Sequence, residues 1–248
     1  MTQRPTSALI VALSVLLLLG VWFRVDDLGD KLVWHDEIAT VHMAAGYSIS
    51  EWKDALYTGQ IVDVSDVTRF QRLNRERSVL DVVEELATHD PQHPPTYYMA
   101  AAAWVRLVGE GMGRLRLLSV IASLLGLFAM YQLCWELSMR RRVAWMGTAA
   151  LAVSPFFVLY AQEAREYSLW ASAILASNAA LLRAIRRTEE RAGEARGSWA
   201  AYGFLTVFCL YTSFASAAVI LGQVLYIILR ERGRPNRVSL SAAGTLAV

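Results

Sequence analysis

The chain is short of the residues that build most small secreted or soluble domains. It has two cysteines, Cys134 and Cys209, each inside an apolar run. They read as packing residues, and no disulfide framework is implied. Only 19% of the 248 positions are charged, 55% are hydrophobic, and the mean hydropathy is +0.34. That is too apolar for an ordinary soluble domain and fits a polytopic membrane protein. A glycine loop suited to cradling phosphates is also missing. Gly109-Glu-Gly-Met-Gly113 clusters glycines without a preceding strand or a following lysine, so it reads as a turn, and a soluble nucleotide-sugar donor is not suggested. The arginines are dispersed and flank apolar runs, which leaves no footprint for nucleic acid.

What is present is segregated. A net charge of +2 hides a stretch, Asp26 to Asp90, with 14 acidic residues against 6 basic ones; His35, His42 and His89 lie in it and the fourth histidine, His93, just after it. Apolar runs at Ser7–Phe23, Leu117–Leu137, Val143–Tyr160 and Tyr167–Ile185 are candidate membrane spans. The first is expected to be an uncleaved anchor, because no small-x-small cleavage site follows it. Basic clusters mark the cytoplasmic side: Arg4; Arg140–Arg142; Arg183, Arg186, Arg187, Arg191 and Arg196; and Arg230, Arg232, Arg234 and Arg237. If Arg4 and Arg140–Arg142 share a side, an even number of crossings separates them. Pro94–Val108, only about 15 residues and carrying Arg106, is then predicted to lie at the outer interface. Trp199–Leu229, basic at both ends, should be a hairpin of two short spans turning near Thr212–Ser213. Ser239–Val248 resembles half of another span, so the chain reads as one transmembrane domain over 1–248, the N-terminal part of a longer protein.

The expected fold is an all-α polytopic transmembrane bundle with a large extracytoplasmic loop, about 26–116, containing juxtamembrane helices. Charge parity places this loop and the short connection Gln162–Tyr167 on one face. Within the loop, Ser48-Ile-Ser-Glu51 and Ser78-Val-Leu-Asp81 have the pattern of capping boxes. Val79, Val82, Val83 and Leu86 recur at helical spacing and predict a short amphipathic helix resting on lipid. Gln60–Arg77 is polar and reads either as a mobile flap or as a solvated loop.

The most informative residues are Trp34-His-Asp-Glu37, an acidic pair just past the first span. Carboxylates beside lipid are costly unless they do chemistry or bind something. After them come His93-Pro-Pro-Thr-Tyr-Tyr98, a Gly109…Arg116-Leu117 junction, Ser154-Pro-Phe156 leading to Gln162-Glu-Ala-Arg-Glu-Tyr167, and Leu210-Tyr-Thr212. In this order and spacing the motifs resemble the GT-C superfamily of membrane glycosyltransferases, in the branch of protein O-mannosyltransferases and the lipid A aminoarabinose transferase. The resemblance implies a polyprenyl-phosphate-linked sugar donor, a protein, lipid or glycan acceptor on the non-cytoplasmic face, and inversion at the anomeric carbon. The sequence departs from the aminoarabinose branch at two places where that branch can hold a metal: Gln92 stands for a glutamate and Ser213 for a histidine. This argues against a divalent cation at that place and leaves one elsewhere open.

Glycosyl transfer needs a base for the acceptor hydroxyl, and a phosphate leaves readily when cations neutralise it. Asp36 is the expected base, with Glu37 beside it. Neighbours on a helix point differently, so only one should face the cavity. The plainer reading is that both cap the helix start. Arg165 suits the donor phosphate through its bidentate fork, or else it snorkels or pairs with Glu163. Glu163 is a second acidic candidate, for the acceptor or to position Arg165. His93 could donate to a phosphate oxygen or be a loop histidine, and Arg116 is a phosphate ligand or a membrane anchor. His35 could tune Asp36. Tyr97-Tyr98 reads first as an aromatic belt and second as a sugar or lipid contact. The competing functional class is a transporter or lipid-binding scaffold without chemistry, for which internal repeats and mid-span charges would be expected. A third is an inactive fragment of the transferase.

Overall fold

The computed structural model describes residues 7–190, 195–230 and 244–245. Arg4, Arg191, Arg232, Arg234, Arg237 and most of Ser239–Val248 lie outside the described residues, and so do the expectations that rest on them. Among the described residues there are twelve α-helices, one 3-10 turn and no strand.

Three helices are long and apolar enough to cross a membrane: α1 (Ser7–Val25), α7 (Met112–Ser138) and α10 (Tyr167–Glu190). At ~1.5 Å per residue, the 19 residues of α1 cover roughly the 30 Å hydrocarbon layer. The protein is therefore an integral membrane protein. α7 and α10 lie side by side at the centre, α11 (Arg196–Thr212) packs on α10, and α8 (Arg141–Ala152) packs between α7 and α1. α1 approaches α8 so closely that a Cβ at Gly20 would overlap the Ala152 backbone.

The run Val143–Tyr160, expected as one span, is broken. α8 ends at Ala152 and α9 (Pro155–Ala161) starts at an angle of 62° to it. Pro155 cannot donate to the helix behind it and forces Ser154 into an extended conformation (φ −63°, ψ 122°). The break frees the Ala152 carbonyl, and Arg24 at the end of α1 takes it. Its Nη1 donates to Ala152 O at 2.6 Å and its Nε to Ser123 Oγ of α7 at 2.9 Å. Trp199–Leu229 is the expected hairpin: α11 and α12 (Ser216–Arg230) meet at residues 213–215.

The loop is a folded cap. It contains α2 (His35–Ala45), α3 (Ile49–Leu56), α4 (Val64–Thr68), a 3-10 turn (Arg69–Gln71), α5 (Asp81–His89) and α6 (Thr96–Val108). Both capping boxes form: Ser48 N donates to Glu51 Oε2 at 2.7 Å, and Ser78 N to Asp81 Oδ2 at 2.9 Å. Some expectations need correction. Val82 and Leu86 of α5 bury against Met43, Tyr98 and Ala102, so that stripe meets protein and not lipid. α6, 13 residues long, is not among the helices long enough to cross, and its buried face is clasped by α2, α5 and α7. Tyr97 and Tyr98 are buried inside the protein and form no aromatic belt; the Tyr97 hydroxyl lies 2.9 Å from Ser119 Oγ. Gln60–Arg77 is exposed over its first part and anchored over its second. Phe70 is buried, Asn74 N donates to Ala45 O at 2.8 Å, and Arg77 pairs with Glu51 at 3.0 Å. Gly109 and Gly111, at φ +99° and +117°, make the α6–α7 turn that the sequence suggested.

Candidate active site

The start of α2, the start of α6, the start of α7, the α9–α10 connection and the α11–α12 turn all come to one end of the bundle. Asp36, Glu37, His93, Arg116, Glu163 and Arg165 share that end, together with Gln92 and Ser213. The α9–α10 connection is held to the end of α1 by Gln162, whose Nε2 donates to Phe23 O at 2.6 Å and Asp26 O at 3.0 Å.

The acidic pair divides as helix geometry requires. Glu37 points inward and is fully buried. Arg116 grips it through Nε (2.8 Å) and Nη2 (2.7 Å), and the Ala164 amide donates to the same carboxylate at 2.8 Å. Burial pushes the Glu37 carboxyl up, but the bonds from Arg116 and Ala164 outweigh it and leave it below the usual carboxylate range. Arg116 also donates to the carbonyls of Leu28 (2.7 Å), Lys31 (3.0 Å) and Leu32 (3.2 Å). All of its donor directions are thus spent inside the protein. Asp36 faces outward, with its side chain 36% exposed. His35 Nδ1 lies 3.3 Å from Asp36 Oδ1 on a ring that is 93% exposed.

Arg165 is buried but loosely held. Its Nη1 reaches Asp36 O at 3.4 Å, and its Nη2 reaches His93 Nε2 at 3.4 Å and Glu166 Oε1 at 3.5 Å. Its Nε makes no hydrogen bond, although Glu166 Oε2 is 3.3 Å away. Arg165 Nη2 is 4.0 Å from Asp36 Oδ2. Its guanidinium carbon lies 5.8 Å from the ring centres of both Tyr98 and Tyr167. The pairing expected with Glu163 is replaced by one with Glu166. Glu163 turns instead to Lys31 at 3.4 Å. Burial raises the Glu163 carboxyl, and Lys31 offsets this only partly.

His93 Nδ1 is 2.8 Å from Asp90 Oδ2, which turns Nε2 toward Arg165. His93, Glu166, Tyr98, Gln92, Thr212 and Ser213 line a cavity of about 330 Å³. Asp36 and Arg165 do not line it and border it through His93 and Glu166. Sequence reasoning passed over Asp90 and Glu166. Asp90 stands three residues before His93 across a turn, a spacing that could have flagged it. Glu166 adjoins Arg165 and lay inside a quoted motif.

The bundle thus gathers a weakly hydrogen-bonded arginine, a histidine and a half-exposed carboxylate beside a polar cavity, groups suited to an anionic ligand. Residues 92–248 match the family profile of dolichyl-phosphate-mannose-protein mannosyltransferases, and the chain belongs to that family. It is a glycosyltransferase of the mannosyltransferase type, which decides against the transporter and scaffold readings. No curated protein and no solved structure matches the chain.

Proposed function

We propose that the protein transfers a sugar, with inversion, from a polyprenyl-phosphate donor to an acceptor hydroxyl at the extracytoplasmic face of the cell membrane. Asp36 is the general base: it alone of the acidic pair is open to an incoming hydroxyl. Arg165, aided by His93, binds the donor phosphate and neutralises it as it leaves. Glu37 and Arg116 position α2 and the 162–166 connection and touch no substrate, because their hydrogen-bonding capacity is spent on each other and on backbone. Glu163 is kept as a second acidic group near the acceptor path. The acceptor is a protein, lipid or glycan.

The observation that carries this reading is the contrast between the two arginines. Arg116 makes five bonds of 2.7–3.2 Å. Arg165, also buried, makes only hydrogen bonds of 3.4–3.5 Å and keeps an Nε without one. A phosphate would replace weak contacts there and none of the strong ones. Sidedness follows from charge. Arg140–Arg142, Arg183, Arg187 and Arg230 stand at the far end of the bundle, and the acidic loop stands at the site.

The test separates base from phosphate site. Asp36→Asn should lower transfer by about 10²–10⁴ and leave affinity for a polyprenyl phosphate within a factor of about two. Arg165→Ala should weaken that affinity roughly tenfold to hundredfold, since hydrogen bonds to charged groups contribute about 1.5–3 kcal/mol. Arg165→Lys should restore only part of it. More than about a third of wild-type turnover in Asp36→Asn rules out Asp36 as the base.

A further inference from the structure

At the end of the bundle away from the site, α10 carries Ala176, Ala180, Arg183 and Arg187 at intervals of four, three and four residues, one face of a helix. Two cavities meet along this face. An apolar groove of about 390 Å³ lies between α7, α10 and α11, and a basic mouth of about 240 Å³ opens between α10 and the start of α11. Ala180, Arg183 and Ala201 line both, so the two form one channel. From Ala176 to Arg187 is 11 residues, or about 16 Å of helix. That is close to half of the roughly 30 Å hydrocarbon layer. The groove's lining continues past Ala176 to Ser172 and Leu169, so the stretch from Ala176 to Arg187 is its mouth-side part, with the depth of one leaflet, mainly apolar and cationic at its mouth.

The mouth has charge to spare. Arg183 commits Nε to Glu136 (2.9 Å) and Nη2 to Gln132 (2.6 Å) and keeps Nη1 unengaged. Arg187 is exposed and makes no hydrogen bond or ion pair among the described residues. The nearby carboxylates are already taken: Glu136 by Arg183 and Arg186, Glu190 by Arg186, and Glu189 by Arg230.

We propose that this channel holds one anionic phospholipid of the leaflet opposite the active site, its phosphate on Arg187 and Nη1 of Arg183 and an acyl chain lying along the alanine face between α10 and α11. A zwitterionic lipid would satisfy the groove but leave Arg187 only partly compensated. Paired basic residues at a membrane boundary favour the anionic headgroup. The inference is independent of the roles assigned to Asp36 and Arg165.

The experiment uses the full chain in detergent, titrated with dioleoylphosphatidylglycerol or dioleoylphosphatidylcholine and read by native mass spectrometry. One phosphatidylglycerol should be retained about tenfold more tightly than phosphatidylcholine. Arg187→Ala should remove roughly that tenfold preference, and Arg187→Lys should keep most of it. Ala201→Trp, which fills the channel from an exposed position on α11, should weaken both lipids. Equal phosphatidylglycerol affinity in wild type and Arg187→Ala overturns the proposal. So does displacement of the lipid by glycerophosphate at equal concentration, which would reduce the site to a bare anion contact. Should Ala201→Trp fail to fold, the Arg187 pair and the glycerophosphate competition still decide.

Discussion

At the residue scale, neighbouring carboxylates one position apart on α2 have opposite fates, and the partner of each explains why. Glu37 faces Arg116 in a sealed interior, where removing one member leaves an uncompensated charge. Glu37→Gln should therefore cost about 3 kcal/mol or more of stability, read by thermal unfolding in detergent. Its pH dependence has a definite sign. A carboxyl held below its usual range contributes stability that is fully present above the ordinary value near 4.3 and is lost as pH falls through the lowered value. Wild type should thus lose stability on the acid side, and Glu37→Gln should lose part of that slope. Glu163 behaves oppositely because burial raises its carboxyl. It gives up stability as pH rises through its folded value, so Glu163→Gln should unfold at the same temperature as wild type or above it at pH 7. The convergence of the candidate residues was legible in residue type and order, since Asp36, His93 and Arg165 do come together. The sequence did not show which carboxylate each arginine would choose. Arg116 and Arg165 look alike in one dimension, and only packing reveals that the first is saturated by Glu37 and the carbonyls of 28–32 while the second keeps slack.

At the scale of elements, local signals were the reliable ones. The Ser48 and Ser78 capping boxes, the glycine turn and the α11–α12 hairpin each depend on a few adjacent residues, and each is present. The failures have two causes. An apolar stripe cannot say what covers it: the face of α5 reads as a lipid contact, and Met43 of α2 with Tyr98 and Ala102 of α6 covers it. The break at Pro155 was hidden because hydropathy averages over it. Its structural price falls on α1, which must come close enough for Arg24 to reach Ala152. Gly20→Leu should force α1 away from α8 and destabilise by about 1–3 kcal/mol, as overpacking does. Phe70→Ala, in the segment between α4 and α5, should cost about 3–5 kcal/mol, whereas Arg77→Ala, losing a half-exposed ion pair with Glu51, should cost about 0.2–1 kcal/mol. Unfolding midpoints for the two variants check whether this segment is held by its aromatic ring or by its charge.

At the scale of the whole molecule, charge parity predicted that loop 26–116 and loop 162–166 lie on one face, and the bundle brings them there. The proposed sidedness rests on the same reasoning and can be measured. With a membrane-impermeant thiol reagent, Arg75→Cys should label in intact cells and Arg187→Cys only after permeabilisation. The reverse pattern would invert the orientation. Ala152 lies 128 residues after Arg24, and this separation bears on how the protein is made. A ribosome working at about 5–20 residues per second needs roughly 6–25 seconds to synthesise that interval. Ser123, 99 residues after Arg24, is made before that interval ends, but Ala152 is not. The full set of partners for the Arg24 guanidinium exists only once the third candidate span, Val143–Tyr160, has been made, so burial of Arg24 is a late event of biogenesis although its segment is the first to be inserted.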